Sequence, residues 1–205
     1  VNPDVELLHT QVLSDDWYTL RKLTFRYRGP DGRWSTQSRE AYDRGNGAAL
    51  LLYHPSRNTV VLTRQFRMPT YVNGNPDGRL VEVCAGLLDG EDPETAIRRE
   101  AEEETGFRVG EVTKVYEAYM SPGSVTEVLH LFTAPYSDAD KVSSGGGTGE
   151  EERIEVLELP FAEALTWMAE GRIRAAKTML LLQHAALTGL LNPRAGSGSI
   201  PDLDT

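Results

Sequence analysis

Glu91-Asp92-Pro93-Glu94-Thr95-Ala96-Ile97-Arg98-Arg99-Glu100-Ala101-Glu102-Glu103-Glu104-Thr105-Gly106-Phe107 predicts a helix from Pro93 to Thr105. Asp92 offers an N-cap carboxylate, and proline at the first helical position lacks only an N–H that would be unpaired there anyway. Gly106 ends the helix as a left-handed residue just past its last turn. At about 100° per residue, Glu100 and Glu104 share the arc of Ala96, Ile97 and Ala101, while Thr95, Arg98 and Glu102 point away. An acidic run on its own is usually a solvated helix face. Here the only apolar face carries two carboxylates four residues apart, which repel each other. Half-buried carboxylates need a compensating charge or a proton. A hard divalent cation with oxygen ligands would supply that charge.

Outward from this helix the pattern is mostly strands. Val5 to Leu13, Trp17 to Arg28 and Arg33 to Asp43 read as strands, with a strong turn at Gly29-Pro30-Asp31-Gly32. A sheet this thin must dock on the rest of the chain or on a second copy. After Gly45-Asn46-Gly47, Ala48 to Tyr53 and Thr59 to Phe66 read as buried strands, Met68 to Gly78 as a loop, and Leu80 to Cys84 as a short strand. Val112 to Met120, Glu127 to Thr133 and Arg153 to Leu159 are further strands, and Phe161 to Glu170 and Ala175 to Leu187 are helices. The stretch from Lys141 to Glu152, with its Ser143-to-Gly147 run, has the composition of a flexible linker, and the end from Asn192 that of a frayed tail. The expectation is an α+β fold with three parts: an N-terminal β-sheet lobe over 1–44, a main domain over 45–191 and a tail over 192–205.

The 205 residues suffice for a sizeable core without disulfides. The 21 Lys and Arg against 31 Asp and Glu give a net charge of −10, which argues against nucleic acid or an anionic membrane as the main partner. If the substrate is itself anionic, a bridging cation is required. One cysteine, Cys84, excludes an intramolecular disulfide framework and a Cys-rich zinc site, and the four histidines lack metal-ligand spacing. With no long apolar span and no signal pattern in Val1 to Leu13, the expected location is the cytoplasm.

The arrangement of Glu91, Arg99-Glu100, Glu103-Glu104, Gly106 and Phe107 resembles the signature of the Nudix hydrolases. The fold this implies is the Nudix α/β/α sandwich. Gly86 and Glu91 are separated by four residues where the common pattern has five, a shortening shared by one subgroup, the GDP-mannose pyrophosphatases. Further stretches resemble the same subgroup: Leu13-Ser14-Asp15, Tyr42 to Gly47, Arg64-Gln65-Phe66-Arg67, Val72 to Asn75, Cys84 to Asp89 and Tyr119 to Gly123. The resemblance implies hydrolysis of GDP-mannose to GMP and mannose 1-phosphate. Mg²⁺, or alternatively Mn²⁺, would neutralise the diphosphate and activate water. Pro122, sixteen residues past Gly106, is also what ADP-ribose pyrophosphatases carry, so ADP-ribose is the same-class alternative. A non-catalytic nucleotide-binding Nudix module is the other, although it would be expected to lack one or more of the carboxylates present here.

By the same resemblance, Glu100, Glu104, the backbone carbonyl of Ala85 and Glu152 are metal ligands, and small residues at Ala85 and Gly86 let the backbone approach the ion. Glu103 ligates or supports, and Arg99 orients the carboxylates. Among Glu150, Glu151 and Glu152, backward alignment from Ile154 favours Glu152 as ligand or base and Glu151 as its substrate-side neighbour, with a slip of one residue open. Substrate contacts fall on Trp17, Ser38, Arg39, Glu40, Arg67, Ala85, Gly86, Leu87, Glu127, Glu151 and Lys177. Trp17 is either a stacking platform or a core residue, Arg67 a diphosphate clamp or a strand-end ion pair, and Lys177 a ligand of a phosphate or of the sugar side, or a snorkelling lysine. Cys84 and His130 read as structural. A homodimer sharing the N-terminal sheet is the expected assembly.

Overall fold

The computed structural model describes residues 2–148 and 153–193. They form two compact units: the chain up to Asn46 with Ala118–Leu129, and Gly47–Glu117 with the chain from His130 onward.

In the first unit, β1 (Val5–Asp15), β2 (Thr19–Arg28) and β3 (Trp34–Asp43) form an antiparallel meander in that order. The turn between β2 and β3 closes through Gly32, at φ 75, and the Gly29 N–H donates to the Arg33 carbonyl. The second strand begins at Thr19 rather than Trp17, because the Thr19 hydroxyl donates to Asp15 Oδ1 at 2.9 Å and closes a turn through residues 16–18. All of β1 is exposed, and its register shifts between Leu7 and His9 and between Val12 and Ser14.

A second sheet holds β4 (Gly47–His54), β5 (Thr59–Phe66), β8 (Thr113–Tyr119), β9 (Val128–Pro135) and β10 (Glu155–Pro160) in the order β10-β5-β4-β9-β8. Two short strands, β6 (Arg79–Glu82) and β7 (Cys84–Leu87), pair with β5 and β4 respectively. The helices are α1 (Met68–Val72), α2 (Pro93–Glu100), α3 (Phe161–Ala169) and α4 (Ala176–Leu187). Residues of β4 alternate between two buried faces. Ala48, Leu50 and Leu52 join a core with Ile97, Ala101, Phe107 and Phe132, while Ala49 and Leu51 point the other way and are just as buried. Helix α2 packs on β4 and β7, and α4 packs on β4. Each fully buried leucine there is worth roughly 1.5–3 kcal/mol.

Four local features depart from the sequence expectation. Met68 to Gly78 begins with a helical turn, α1, with Pro69 in its first turn. The predicted strand Leu80 to Cys84 is broken at Val83, whose N–H donates to Thr178 Oγ1 of α4 at 2.9 Å instead of to a strand. The chain thereby changes partner from β5 to β4. The predicted helix Pro93 to Thr105 keeps its Asp92 cap, which accepts from the Glu94 and Thr95 N–H groups, but changes at Ala101 into a π-helical turn through Thr105. Such a turn redirects the side chains that follow it and recurs at functional sites.

The fourth is the Ser143-to-Gly147 run. It is tied down where composition suggested a free linker. Val142 N–H donates to the Gly106 carbonyl, Gly146 to Glu104 and Gly147 to Glu103, at 2.9–3.1 Å, so this run caps the end of the π turn. The glycines are there for positive φ (70, 113 and 88 at Gly145, Gly146 and Gly147) and for close approach, not for looseness. A Cβ on Gly145 would stand 2.5 Å from the Glu104 carbonyl oxygen, and one on Gly106 would collide with Ser143 backbone.

Gly106 sits at φ 76 with no room for a methyl group. Gly106→Ala is therefore expected to destabilise the protein by more than about 1 kcal/mol, measured as the shift of the urea unfolding midpoint.

Candidate active site

The acidic half of the site is built on α2 and the π turn. Arg99 holds three carboxylates at once: Nη1 donates to Glu100 Oε1 at 2.9 Å and Glu103 Oε2 at 3.1 Å, and Nε and Nη2 donate to Glu91 Oε2 at 3.2 Å. Glu100 lies against Gly86, where any Cβ would run into its carboxyl group. Glu104 is buried, 6% exposed, and its Oε2 accepts the Ala85 N–H at 3.2 Å. Burial pushes its carboxyl up to about 7, and the Glu100 charge adds to this against the opposing Ala85 N–H, Cys84 and the Arg67 charge.

These residues fit a hard divalent cation by donor chemistry: oxygen ligands only, like charge in excess, and a buried carboxyl whose desolvation outweighs the groups that favour its ionised form. Among the described residues no three His, Cys, Asp or Glu side chains converge as a ready cage. Arg99 takes up Glu91, Glu100 and Glu103, and the expected fourth ligand, Glu152, lies outside the described residues with Glu150 and Glu151. The chain on either side of those three glutamates comes together, with Ile154 N–H donating to the Gly146 carbonyl at 3.4 Å and Gly147 bonded to Glu103. Cys84 is 1% exposed, and burial followed by the charges of Glu104 and Glu100 pushes its thiol well up, so it has no nucleophilic character.

The basic half stands on a residue that the sequence reading missed. Arg67, just past β5, and Lys177, in the first turn of α4, both pair with Glu82 at the end of β6. Arg67 Nε donates to Oε2 at 2.7 Å and Lys177 Nζ to Oε1. Glu82 is only 3% exposed. Burial pushes its carboxyl up, but the Lys177 and Arg67 charges outweigh this, and the net shift is downward. The snorkelling alternative for Lys177 is set aside, since its ammonium turns inward onto a buried carboxylate. A signal was available: an acidic residue within Leu80-Val81-Glu82-Val83-Cys84, an otherwise apolar strand, demands a partner.

The first unit places its predicted residues separately. Trp17 is 83% exposed in the β1–β2 turn, which removes the core alternative, and it meets Tyr18 edge-on at 6.3 Å. Ser38, Arg39 and Glu40 are exposed on β3; Ser38 Oγ lies 3.1 Å from Thr24 Oγ1, and Arg39 donates to the Ser38 carbonyl and Gln37. Glu127, its side chain 12% exposed, faces Arg44 Nε at 3.6 Å. That buried Nε has no hydrogen-bond partner among the described residues, and Arg44 also lies over the Tyr18 ring. Leu87 closes β7 beside Gly86. In the second unit His130, 3.5 Å from Glu117, touches none of these groups.

Two family models match the chain: a NUDIX domain over residues 43–182, and a "GDP-mannose pyrophosphatase NudK N-terminal domain" over residues 4–42. The chain belongs to the Nudix hydrolases. Members of this family generally use divalent metal ions. A GDP-mannose pyrophosphatase of Cronobacter sakazakii is 54% identical over 189 residues, 92% of this chain and 98% of that protein. One from Klebsiella pneumoniae is 52% identical over 189 residues, 92% and 95% of the two chains. A solved ADP compounds hydrolase shares this Nudix fold with a TM-score of 0.68 at 19% identity, covering 91% of this chain and 96% of its own.

The Glu82 pairing makes stability depend on acid. Its folded-state pKa lies below the ordinary 4.5, so the stabilisation is complete above 4.5 and is lost as pH falls through the lowered value. Unfolding free energies measured across that window should fall more steeply for wild type than for Glu82→Gln; parallel curves would show that Glu82 is not ionised against its two cations.

Proposed function

We propose that this Nudix hydrolase cleaves the diphosphate of GDP-mannose with water, giving GMP and mannose 1-phosphate. The observation that carries the reading is the opposition of two charged clusters: the buried Glu104 with Glu100, Glu103 and Glu91 nearby in sequence, and Arg67 and Lys177 gathered on Glu82, with the Arg67 charge opposing the desolvation of Glu104. The names of the relatives supply the substrate.

Glu100, Glu104, the Ala85 carbonyl and Glu152 would hold Mg²⁺, with Mn²⁺ as the alternative ion. Bound there, the ion supplies charge neutralisation of the diphosphate and a more acidic water. Glu103 and Arg99 keep the carboxylates oriented. Glu151 and Glu152 follow a stretch pinned to the Glu103 and Glu104 carbonyls, and one of them takes the proton of the attacking water. Arg67 and Lys177 hold the phosphate oxygens, so that the protein's own work is positioning and charge. Ala85, Gly86 and Leu87 offer backbone at the site. Trp17 stacks on the guanine, and Ser38, Arg39, Glu40 and Glu127 complete recognition, with Glu40 accepting the guanine N–H groups.

The assembly is a homodimer through the N-terminal sheet. In support, β1 presents Leu7, Val12 and Leu13 to solvent along an edge strand, and unprotected edges of this kind invite pairing. One buried free thiol, Cys84, accords with work in the cytoplasm.

Parallel assays of GDP-mannose and ADP-ribose with Mg²⁺ should show GDP-mannose turned over much faster, GMP and mannose 1-phosphate as products, and no reaction in chelator. Glu104→Gln should lower turnover at least a hundredfold in a folded protein, and faster cleavage of ADP-ribose would overturn the substrate. For the assembly, light scattering should give twice the chain mass of 22.7 kDa, and Trp17→Ala should raise KM with little change in that mass. A fully active monomer would rule the dimer out.

A further inference from the structure

Glu82 has no role in the reading above, yet it is among the most buried charged groups described, and it touches both cations assigned to the diphosphate. Stability alone is a poor reason for it. A buried ion pair gains little over apolar residues of similar volume. The geometry offers a better one. Glu82 engages Arg67 through Nε alone, and neither Nη group of Arg67 makes a hydrogen bond among the described residues. Lys177 likewise spends one of three N–H donors on Oε1. Arg67 and Lys177 are long side chains, each with about 2 kcal/mol of rotamer entropy to lose on meeting a ligand. One carboxylate fixes both before the ligand arrives.

The supports of Glu82 are themselves rigid. Its carbonyl accepts the Thr63 hydroxyl at 3.3 Å, and the next residue, Val83, is bonded to Thr178, the neighbour of Lys177 on α4. The carboxylate therefore sits at the junction of β6, β5 and α4 and sets the spacing between a cation just past β5 and one from α4. Two cations and one carboxylate leave a local surplus of one positive charge in a chain of net charge −10.

We propose that Glu82 is the positioning residue of the diphosphate clamp, holding Arg67 and Lys177 so that their remaining N–H donors converge on the phosphate oxygens of the nucleotide. This rests on the assignment of Arg67 and Lys177 to the diphosphate. Glu82 acts through them and touches no substrate atom.

The experiment compares wild type, Glu82→Gln, Lys177→Met and the double variant. It follows GDP-mannose kinetics, the Mg²⁺ concentration for half-maximal rate, and GDP binding by calorimetry. Glu82→Gln is expected to raise KM and weaken GDP binding by about tenfold, the scale of one charge-assisted hydrogen bond. It should change kcat less than threefold and leave the Mg²⁺ half-saturation where it was. In the Lys177→Met background the same substitution should cost far less, because one of the groups it positions is gone. Should Glu82→Gln fail to fold, Glu82→Asp keeps the charge but withdraws the carboxylate by one methylene, and it is expected to raise KM severalfold. Wild-type KM and GDP affinity in either folded variant would overturn the proposal, as would an undiminished penalty in the Lys177→Met background. If wild type does not cleave GDP-mannose while Glu82→Gln still weakens GDP binding, the substrate assignment fails and the positioning role stands.

Discussion

Four glutamates attend one helix, Glu91 just before its cap and Glu100, Glu103 and Glu104 at its far end, and their mutual repulsion is the constraint around which the second unit is arranged. Glu91, Glu100 and Glu103 converge on the single guanidinium of Arg99, whose planar fork satisfies three carboxylates that a lysine could not hold together. Glu104 is left on the buried side with only a backbone N–H, a thiol and the distant charge of Arg67 to oppose its desolvation. The backbone adapts to this crowding. The helix becomes π-helical at Ala101, Gly86 leaves room for Glu100, and the Gly145-to-Gly147 run saturates the carbonyls of Glu103 and Glu104.

The helix, its Asp92 cap and its Gly106 stop were legible in the sequence because local chemistry dictates them: a short acceptor before proline, and a residue able to take positive φ after the last turn. The buried strands β4 and β5 were legible for a similar reason, since runs such as Ala48 to Leu52 tolerate no solvent on either face. What the sequence hid was set by partners distant along the chain. The break at Val83 depends on Thr178, 95 residues away, and the role of Glu82 depends on Lys177, equally remote. The glycine run misled because composition reports freedom in the unfolded chain, whereas here the same freedom serves a fixed, tightly approached backbone. The π turn left no mark at all in a run of alanine and glutamate that suits an ordinary helix equally well.

An acidic protein that handles an anionic diphosphate must build positive potential locally, and the break at Val83 is how this chain does so. Glu82 stays in register with Thr63 of β5, while Ala85, three residues on, is in register with Ala49 of β4. Because side chains alternate along a strand, an unbroken strand could not serve both partners in these registers; a slip of one residue would also turn Glu82 away from its cations. By giving the Val83 N–H to Thr178, the chain releases one ladder bond and gains independent control of two segments. One segment carries the carboxylate that gathers Arg67 and Lys177. The other carries the backbone that meets Glu104 and lies under Glu100. The positive and negative halves of the site are therefore joined through a single residue, with α4 bracing both the break and Lys177. Arg67 stays bonded to Glu82 while its charge opposes the desolvation of Glu104.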